Sequence, residues 1–207
     1  MMSANKNIII REGLPKDAQD FTNLILLSGP NLFPATFGSG VRSLIQNLFR
    51  QRKNLFSFEH SYFIEVDDTK AGMIIGYDWK TERREKWRTG LLLVKYMKQK
   101  FFTQILSLLK AQSITGRVED NEYYVSNVAV YPEFRGNNLG TNLLLKIESE
   151  AKRYGVERST LDVEVDNEDA IRLYNRLGYS IVGKPRKVRI NSKNFAFFKC
   201  VKTTTIK

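Results

Sequence analysis

The sequence predicts one mixed α/β domain, and three observations carry that prediction. Short apolar runs such as "SYFIEV", "AGMIIGY" and "STLDVEV" have the length of strands and are bounded by turn residues. Between them lie stretches with apolar residues three and four apart, of which "NLGTNLLLKIESEAKRYG" is the clearest: Leu143, Leu144, Ile147 and Ala151 share one helical face. Finally, 207 residues with 42% hydrophobic content suit a single core. No break in composition marks a second domain, so one domain over 1–207 is expected.

Taken in order, "IIIREG" reads as a short strand followed by a helix that Pro15 introduces, with Ala18, Phe21, Ile25 and Ser28 on one face. "GPNLFPATFGSG" reads as a loop, and "VRSLIQNLFRQRK" as a helix turning Val41, Leu44, Ile45 and Leu48 inward. "SYFIEVDD" and "AGMIIGYDW" are strands around the turn "DDTK". A long segment over about 80–120 has helical periodicity, with Leu91, Leu92 and Tyr96, then Phe102, Ile105, Leu106 and Leu109, as its apolar face. "EYYVSNVAVY" is a strand, and the helix after it ends at Gly155. "STLDVEV" is a strand, "NEDAIRLYNRLG" a helix capped by Asn167 and stopped by Gly178, and "YSIVGK" and "KNFAFFKCV" are the last strands. The three occurrences of "NLF", at unequal spacings, do not make a repeat.

Composition excludes several kinds of chemistry. Cys200 is the only cysteine and His60 the only histidine, so a disulfide framework, a Cys/His zinc site and a triad needing a second histidine are ruled out, and no metal is expected. Cys200 sits in an apolar strand and reads as core. "MMSANKNIIIREG" lacks the apolar stretch of a signal peptide, and no run approaches the ~18 residues of a membrane span. These features predict a soluble, cytoplasmic protein with no membrane partner. The net charge of +11 is concentrated in two segments: residues 79–100 carry eight Lys or Arg against two Glu, and 184–202 carry seven with no acid. Such segments suit a phosphorylated cofactor, an acidic partner or RNA. No RNA-recognition motif accompanies them, so no specific nucleic acid is expected.

The stretch "NVAVYPEFRGNNLGTNLLL" puts a glycine-and-asparagine loop with one Arg between a strand and a helix. A helix N-terminus leaves backbone N–H groups unpaired and carries partial positive charge, which suits phosphate. Gly136 and Gly140 let backbone approach a ligand, and Arg135 offers two-pronged bonds to phosphate oxygens. The loop lacks the Gly-Lys-Ser/Thr ending of a P-loop and is not G-x-G-x-x-G.

"RGNNLG" together with "LDVEVDNEDAIRLYNRLGY" about 25 residues on resembles the paired motifs of the GNAT family of N-acetyltransferases, over residues 122–183. The first motif matches Arg/Gln-x-x-Gly-x-Gly/Ala with Asn138 in place of a Gly. Asn tolerates positive φ next best, so the turn is expected to survive. The resemblance implies a mostly antiparallel central sheet splayed between strands 4 and 5 and flanked by helices. The segment 80–120 would be a helical insertion between strands 3 and 4. It implies acetyl-CoA as cofactor, with the pyrophosphate on Arg135, Gly136, Asn137, Asn138, Leu139 and Gly140, and Thr141 at the first helical turn. The pantetheine arm would pair with the backbone of Val128 and Val130, and Asn167 would touch its far side. Tyr174 would protonate the departing thiolate.

A lysine-type amine of pKa ~10.4 costs about 4–5 kcal/mol to deprotonate at pH 7, an α-amine near 8 only about 1, so a base is needed most for the former. Asp162 matches in spacing the acid used by ribosomal-protein alanine N-acetyltransferases of this family. Glu122 lies two residues out of step with the acid of histone acetyltransferases, and Glu164 shares the strand face of Asp162. The expected reaction moves the acetyl group of acetyl-CoA to a primary amine. The alternative is a non-catalytic acyl-CoA-binding or sensing module. The acceptor stays open between a protein N-terminus, lysine, small amine or antibiotic. The basic segment 79–100, through Arg83, Arg84 and Lys86, predicts an acidic peptide or metabolite as the amine's carrier, and a homodimer is left open.

Overall fold

The computed structural model describes residues 7–204. The stretch that argues against a signal peptide begins in residues 1–6, which lie outside the described ones. The order of elements is β1 (Ile8–Glu12), α1 (Ala18–Ser28), α2 (Leu32–Phe37), α3 (Val41–Arg50), β2 (Ser61–Val66) and β3 (Thr69–Asp78). There follow α4 (Trp79–Met97), α5 (Gln99–Ile114), β4 (Glu122–Val130), α6 (Leu139–Arg153), β5 (Arg158–Glu164), α7 (Glu168–Arg176), β6 (Ser180–Ile190) and β7 (Lys193–Thr203). Seven strands form one sheet in the order β1-β2-β3-β4-β5-β7-β6, antiparallel throughout except for the parallel pair β4–β5.

Strand alternation divides most apolar side chains between two cores, and Ile114, Ile190, Phe195 and Phe197 form a third, smaller cluster. Phe63, Met73, Ile75 and Ala129 point to α1–α4, where Phe21 and Phe49 stack with ring centroids 4.1 Å apart. Tyr62, Ile64, Ile74, Val125 and Leu161 point to the opposite face, covered by Leu143, Leu144 and Ile147 of α6 and Tyr174 of α7. Cys200 is buried there, and burial pushes its thiol up to about 11.

Three expectations from the sequence need correction. Residues 32–37 form a helix rather than a loop: Pro34 lies in the first turn, where its missing N–H costs nothing, and Phe33 and Phe37 are buried beneath it. The strand expected to end at Lys184 runs on to Ile190, because a bulge between Val182 and Arg186 absorbs Gly183 (φ +74°) and Pro185. The segment after β3 is two helices, broken at Lys98 (φ 52°). Their inward residues are Leu92, Met97 and Ile114, while Leu91, Phe102, Leu106 and Leu109 lie on the exposed outer side. Of the apolar face expected from periodicity, Leu92 and Tyr96 do pack inward while these four turn outward, since apolar residues occupy both sides of this pair.

Candidate active site

The β4–β5 pairing ends at Val125 opposite Leu161, and beyond it the strands part. On its other side β4 pairs with β3, where the register jumps from Asn127 opposite Ile75 to Val125 opposite Gly76. Ser126 is therefore the extra residue of a bulge, which bends β4 away from β5 where the gap opens. Gly76 opposite it has no room for a side chain: a Cβ there would sit 2.8 Å from the Tyr124 carbonyl oxygen. The gap forms a cleft of about 990 Å³, lined by Ser126, Val128 and Val130 of β4, Asp162 and Glu164 of β5, and Asn167 and Tyr174 of α7.

At one end of the cleft lies the loop between β4 and α6. Asn138 adopts left-handed backbone (φ 57°, ψ 13°) as the residue before α6, and Gly136 has φ +78°. The loop is held from within: Asn137 Nδ2 donates to the carbonyls of Phe134 (3.0 Å) and Arg135 (3.2 Å). Arg135 Nε donates to the carbonyl of Val130 at 3.2 Å, which lays its side chain beside the open end of β4. Leu139 is buried and anchors the helix start. The N–H groups of the first turn, Leu139 to Thr141, have no partner within the helix, as at any α-helix start. Arg135, Gly136, Asn138, Leu139, Gly140 and Thr141 line the cleft. A Cβ on Gly140 would lie 3.3 Å from Leu173 Cδ2, so this glycine also sets how closely α6 approaches α7.

Across the cleft, Asn167 caps α7 by accepting from the N–H of Ala170 at 3.2 Å. Tyr174, about two turns on, is buried with its ring 6.0 Å from that of Tyr179. Burial pushes its phenol well above its ordinary range, with Tyr179 and Cys200 adding to the shift, so it stays protonated near neutral pH.

The three acidic residues singled out in the sequence have different surroundings. Glu122 does not line the cleft. Its carboxylate accepts from Lys199 Nζ at 3.1 Å and from the Glu119 N–H at 3.0 Å, with Arg158 at 3.7 Å. Asp162 lines the cleft where the strands part; its Oδ2 accepts from the Tyr124 hydroxyl and the Gly116 N–H, each at 2.9 Å, and its Oδ1 pairs with Arg186. Burial pushes the Asp162 carboxyl up, and Arg186, the Gly116 N–H and Tyr124 pull against it without cancelling it. Glu164 lines the cleft too and is raised by burial, then by Asp166.

Tyr124 and Arg186 are absent from the sequence-based site. Tyr124 lies on the strand face of Glu122, two residues on, and the two-residue offset seen at Glu122 was the available signal, since it keeps the same face. Arg186 reaches Asp162 through the bulge in β6, which no local pattern announces.

The profile of the acetyltransferase (GNAT) family matches residues 32–179. Among curated proteins, "N-alpha-acetyltransferase 30" of Schizosaccharomyces pombe is 36% identical over 56 residues, covering 27% of this chain and 37% of that protein. "Uncharacterized N-acetyltransferase YdgE" of Bacillus subtilis is 33% identical over 60 residues, covering 29% and 38%. The chain thus matches little more than a third of the length of either relative. Among solved structures, an N-acetyltransferase from Staphylococcus aureus Mu50 superposes with a TM-score of 0.71 at 20% identity, covering 94% of this chain and all of that one. The yncA protein of Salmonella typhimurium, described as a putative acetyltransferase with its cofactor acetyl-CoA, does so with a TM-score of 0.62 at 16% identity, covering 97% and 95%. These likenesses establish the fold. With its profile match across most of the chain, the protein belongs to the GNAT family of acetyltransferases.

Proposed function

We propose that the protein transfers the acetyl group of acetyl-CoA directly to a primary amine. The observation that carries this reading is one cleft lined at once by Arg135, Gly136 and Asn138 to Thr141 of the loop, the open edge of β4, Asp162 and Tyr174. An anion cradle, an unpaired strand edge, a carboxylate and a phenol are the parts such a transfer needs. The pyrophosphate would rest on the N–H groups of Gly136 to Thr141 with Arg135 beside it, and the pantetheine arm would run along Val128 and Val130, facing Asn167.

The amine nitrogen attacks the thioester carbonyl, and a backbone N–H near Val128 would stabilise the charge that grows on its oxygen. As the C–S bond breaks, Tyr174 gives its proton to the sulfur. That assistance is modest, because a thiol of pKa ~8.5 leaves readily. The proton lost by the amine goes to Asp162. Both Asp162 oxygens are already engaged, which favours a relay: Tyr124 takes the amine proton on its oxygen while passing its own to Asp162 Oδ2, 2.9 Å away. Glu122, tied to Lys199 and outside the cleft lining, is the weaker candidate for base.

Release of free thiol from acetyl-CoA, followed over a broad panel of amines, tests the proposal. Turnover with at least one primary amine, lost or strongly reduced in Tyr174→Phe, is expected. Tight acetyl-CoA binding with no thiol release above the water rate for any amine would favour a binding or sensing module instead.

A further inference from the structure

The acceptor side of the cleft, away from the phosphate loop, is walled by α2, α4, α5, β7 and the segment between α3 and β2. Phe33, Phe37, Phe56, Leu93, Leu108 and Phe197 line it. Phe33 and Phe37 stack at 6.1 Å, and Phe56 meets Phe37 edge-on at 6.3 Å. Thr36, one residue before Phe37 in α2, is 3% exposed and lines the same wall, and its hydroxyl has no hydrogen-bond partner among the described residues. A buried hydroxyl left unpaired is costly, so a polar atom of a bound molecule is a natural partner for it.

The basic charges that predicted an acidic acceptor are engaged elsewhere. Arg83 pairs with Asp120 at 2.6 Å, Arg84 with Glu85 at 3.2 Å, and Lys86 with Glu82 at 3.2 Å. Of these bases only Lys86 lines the cleft, together with its partner Glu82. The helical insertion therefore presents Leu93, Leu108 and Ala111, the uncharged polar Thr89, Gln112 and Thr115, and one neutralised pair to the cleft.

Resting on the acetyltransferase reading, we propose that the acceptor is a primary amine on an apolar, aromatic or branched-aliphatic carrier with one hydrogen-bonding group that meets Thr36. The reacting amine would stand near Asp162 and Tyr124, and its carrier would lie among Phe33, Phe37 and Phe56. A second ammonium or a carboxylate on that carrier would have to shed its water against these aromatic rings.

The source of such an amine is a small arylalkylamine or a peptide N-terminus with apolar first residues. The test measures kcat/KM by thiol release for both, each beside charged counterparts: phenethylamine and a hydroxylated analogue against spermidine and an aminoglycoside, and peptides beginning Leu-Phe against ones beginning Asp-Glu or Lys-Lys. The apolar member of at least one arm should exceed its charged counterparts by about tenfold or more, a difference of ~1.4 kcal/mol. Thr36→Val, which keeps the shape and loses the hydroxyl, should raise KM severalfold for the preferred amine carrying a hydrogen-bonding group and leave its analogue without one unchanged. Leu108→Glu should raise KM for apolar amines while acetyl-CoA affinity stays constant, which also shows that the variant folds. Turnover that favours polyamines or acidic amines would overturn this inference and leave the acetyltransferase reading standing. No turnover with any amine would end both.

Discussion

From Arg135 to Thr141 the cleft is walled chiefly by backbone: a glycine and an asparagine at positive φ, the start of α6, and the open edge of β4. On the acceptor side the wall is made of side chains carried by α2, α4, α5, β7 and the segment between α3 and β2. Backbone recognises what every cofactor of one kind shares, phosphates and amide groups, and tolerates few changes of residue type. A wall of side chains recognises whatever fits it and is free to differ from one protein to the next. A substitution in the first wall should therefore change cofactor binding, and one in the second should change the choice of acceptor.

The largest expected effect lies where the two walls meet. Asp162→Asn should lower kcat by about a hundredfold, the scale of a lost general base. It should also abolish the rising limb of the pH–rate profile. Because burial holds the Asp162 carboxyl above its ordinary value, that limb should lie above the usual carboxylate range: the rate rises as pH climbs through the raised pKa and the base loses its proton. Tyr124→Phe should reproduce the fall in kcat if the hydroxyl relays the proton, whereas Glu122→Gln should keep the wild-type profile. A loss of the limb in Glu122→Gln and not in Asp162→Asn would move the role to Glu122.

Tyr174→Phe comes next, with kcat lowered by about tenfold and acetyl-CoA affinity little changed, since the leaving thiol needs only modest help. The wild-type rate should fall only above about pH 10, the ordinary phenol value, because burial pushes the Tyr174 phenol higher still. A falling limb near pH 8 would exclude Tyr174 as the acid.

The same contrast explains what the sequence made legible. The phosphate loop was readable because its constraints are local: a left-handed residue at position 138 asks for Gly or Asn, and Asn stands there with φ 57°. The splay between β4 and β5 came from the family resemblance, and the bulge at Ser126 that accompanies it has no signature beyond an unremarkable serine. The acceptor wall was mostly illegible. Residues 32–37 read as a loop in the sequence because Pro34 and the flanking glycines mask the i,i+4 pair Phe33 and Phe37. In α4 and α5, Leu91, Phe102 and Leu106 competed with Leu92 and Leu93 as inward residues, and only tertiary packing decides between two apolar faces. The charges of Arg83, Arg84 and Lys86 could be counted, yet their pairing with Asp120, Glu85 and Glu82 is a property of the fold.

Smaller effects sharpen the backbone side of the contrast. Arg135→Glu should weaken acetyl-CoA by about tenfold, ~1.4 kcal/mol, with the amine KM unchanged. Asn138→Gly should leave affinity within about twofold and, if anything, tighten it, because the position already has the conformation that Gly adopts freely.

The most direct test titrates acetyl-CoA by calorimetry into wild type, Gly140→Asp and Leu108→Glu, with thermal melts to confirm folding. Gly140→Asp adds a negative charge at the helix start, against Leu173, and should raise Kd by about tenfold or more. Leu108→Glu, on the opposite wall, should bind acetyl-CoA as wild type does. A folded Gly140→Asp protein with unchanged affinity would contradict the assignment of the cofactor to this loop.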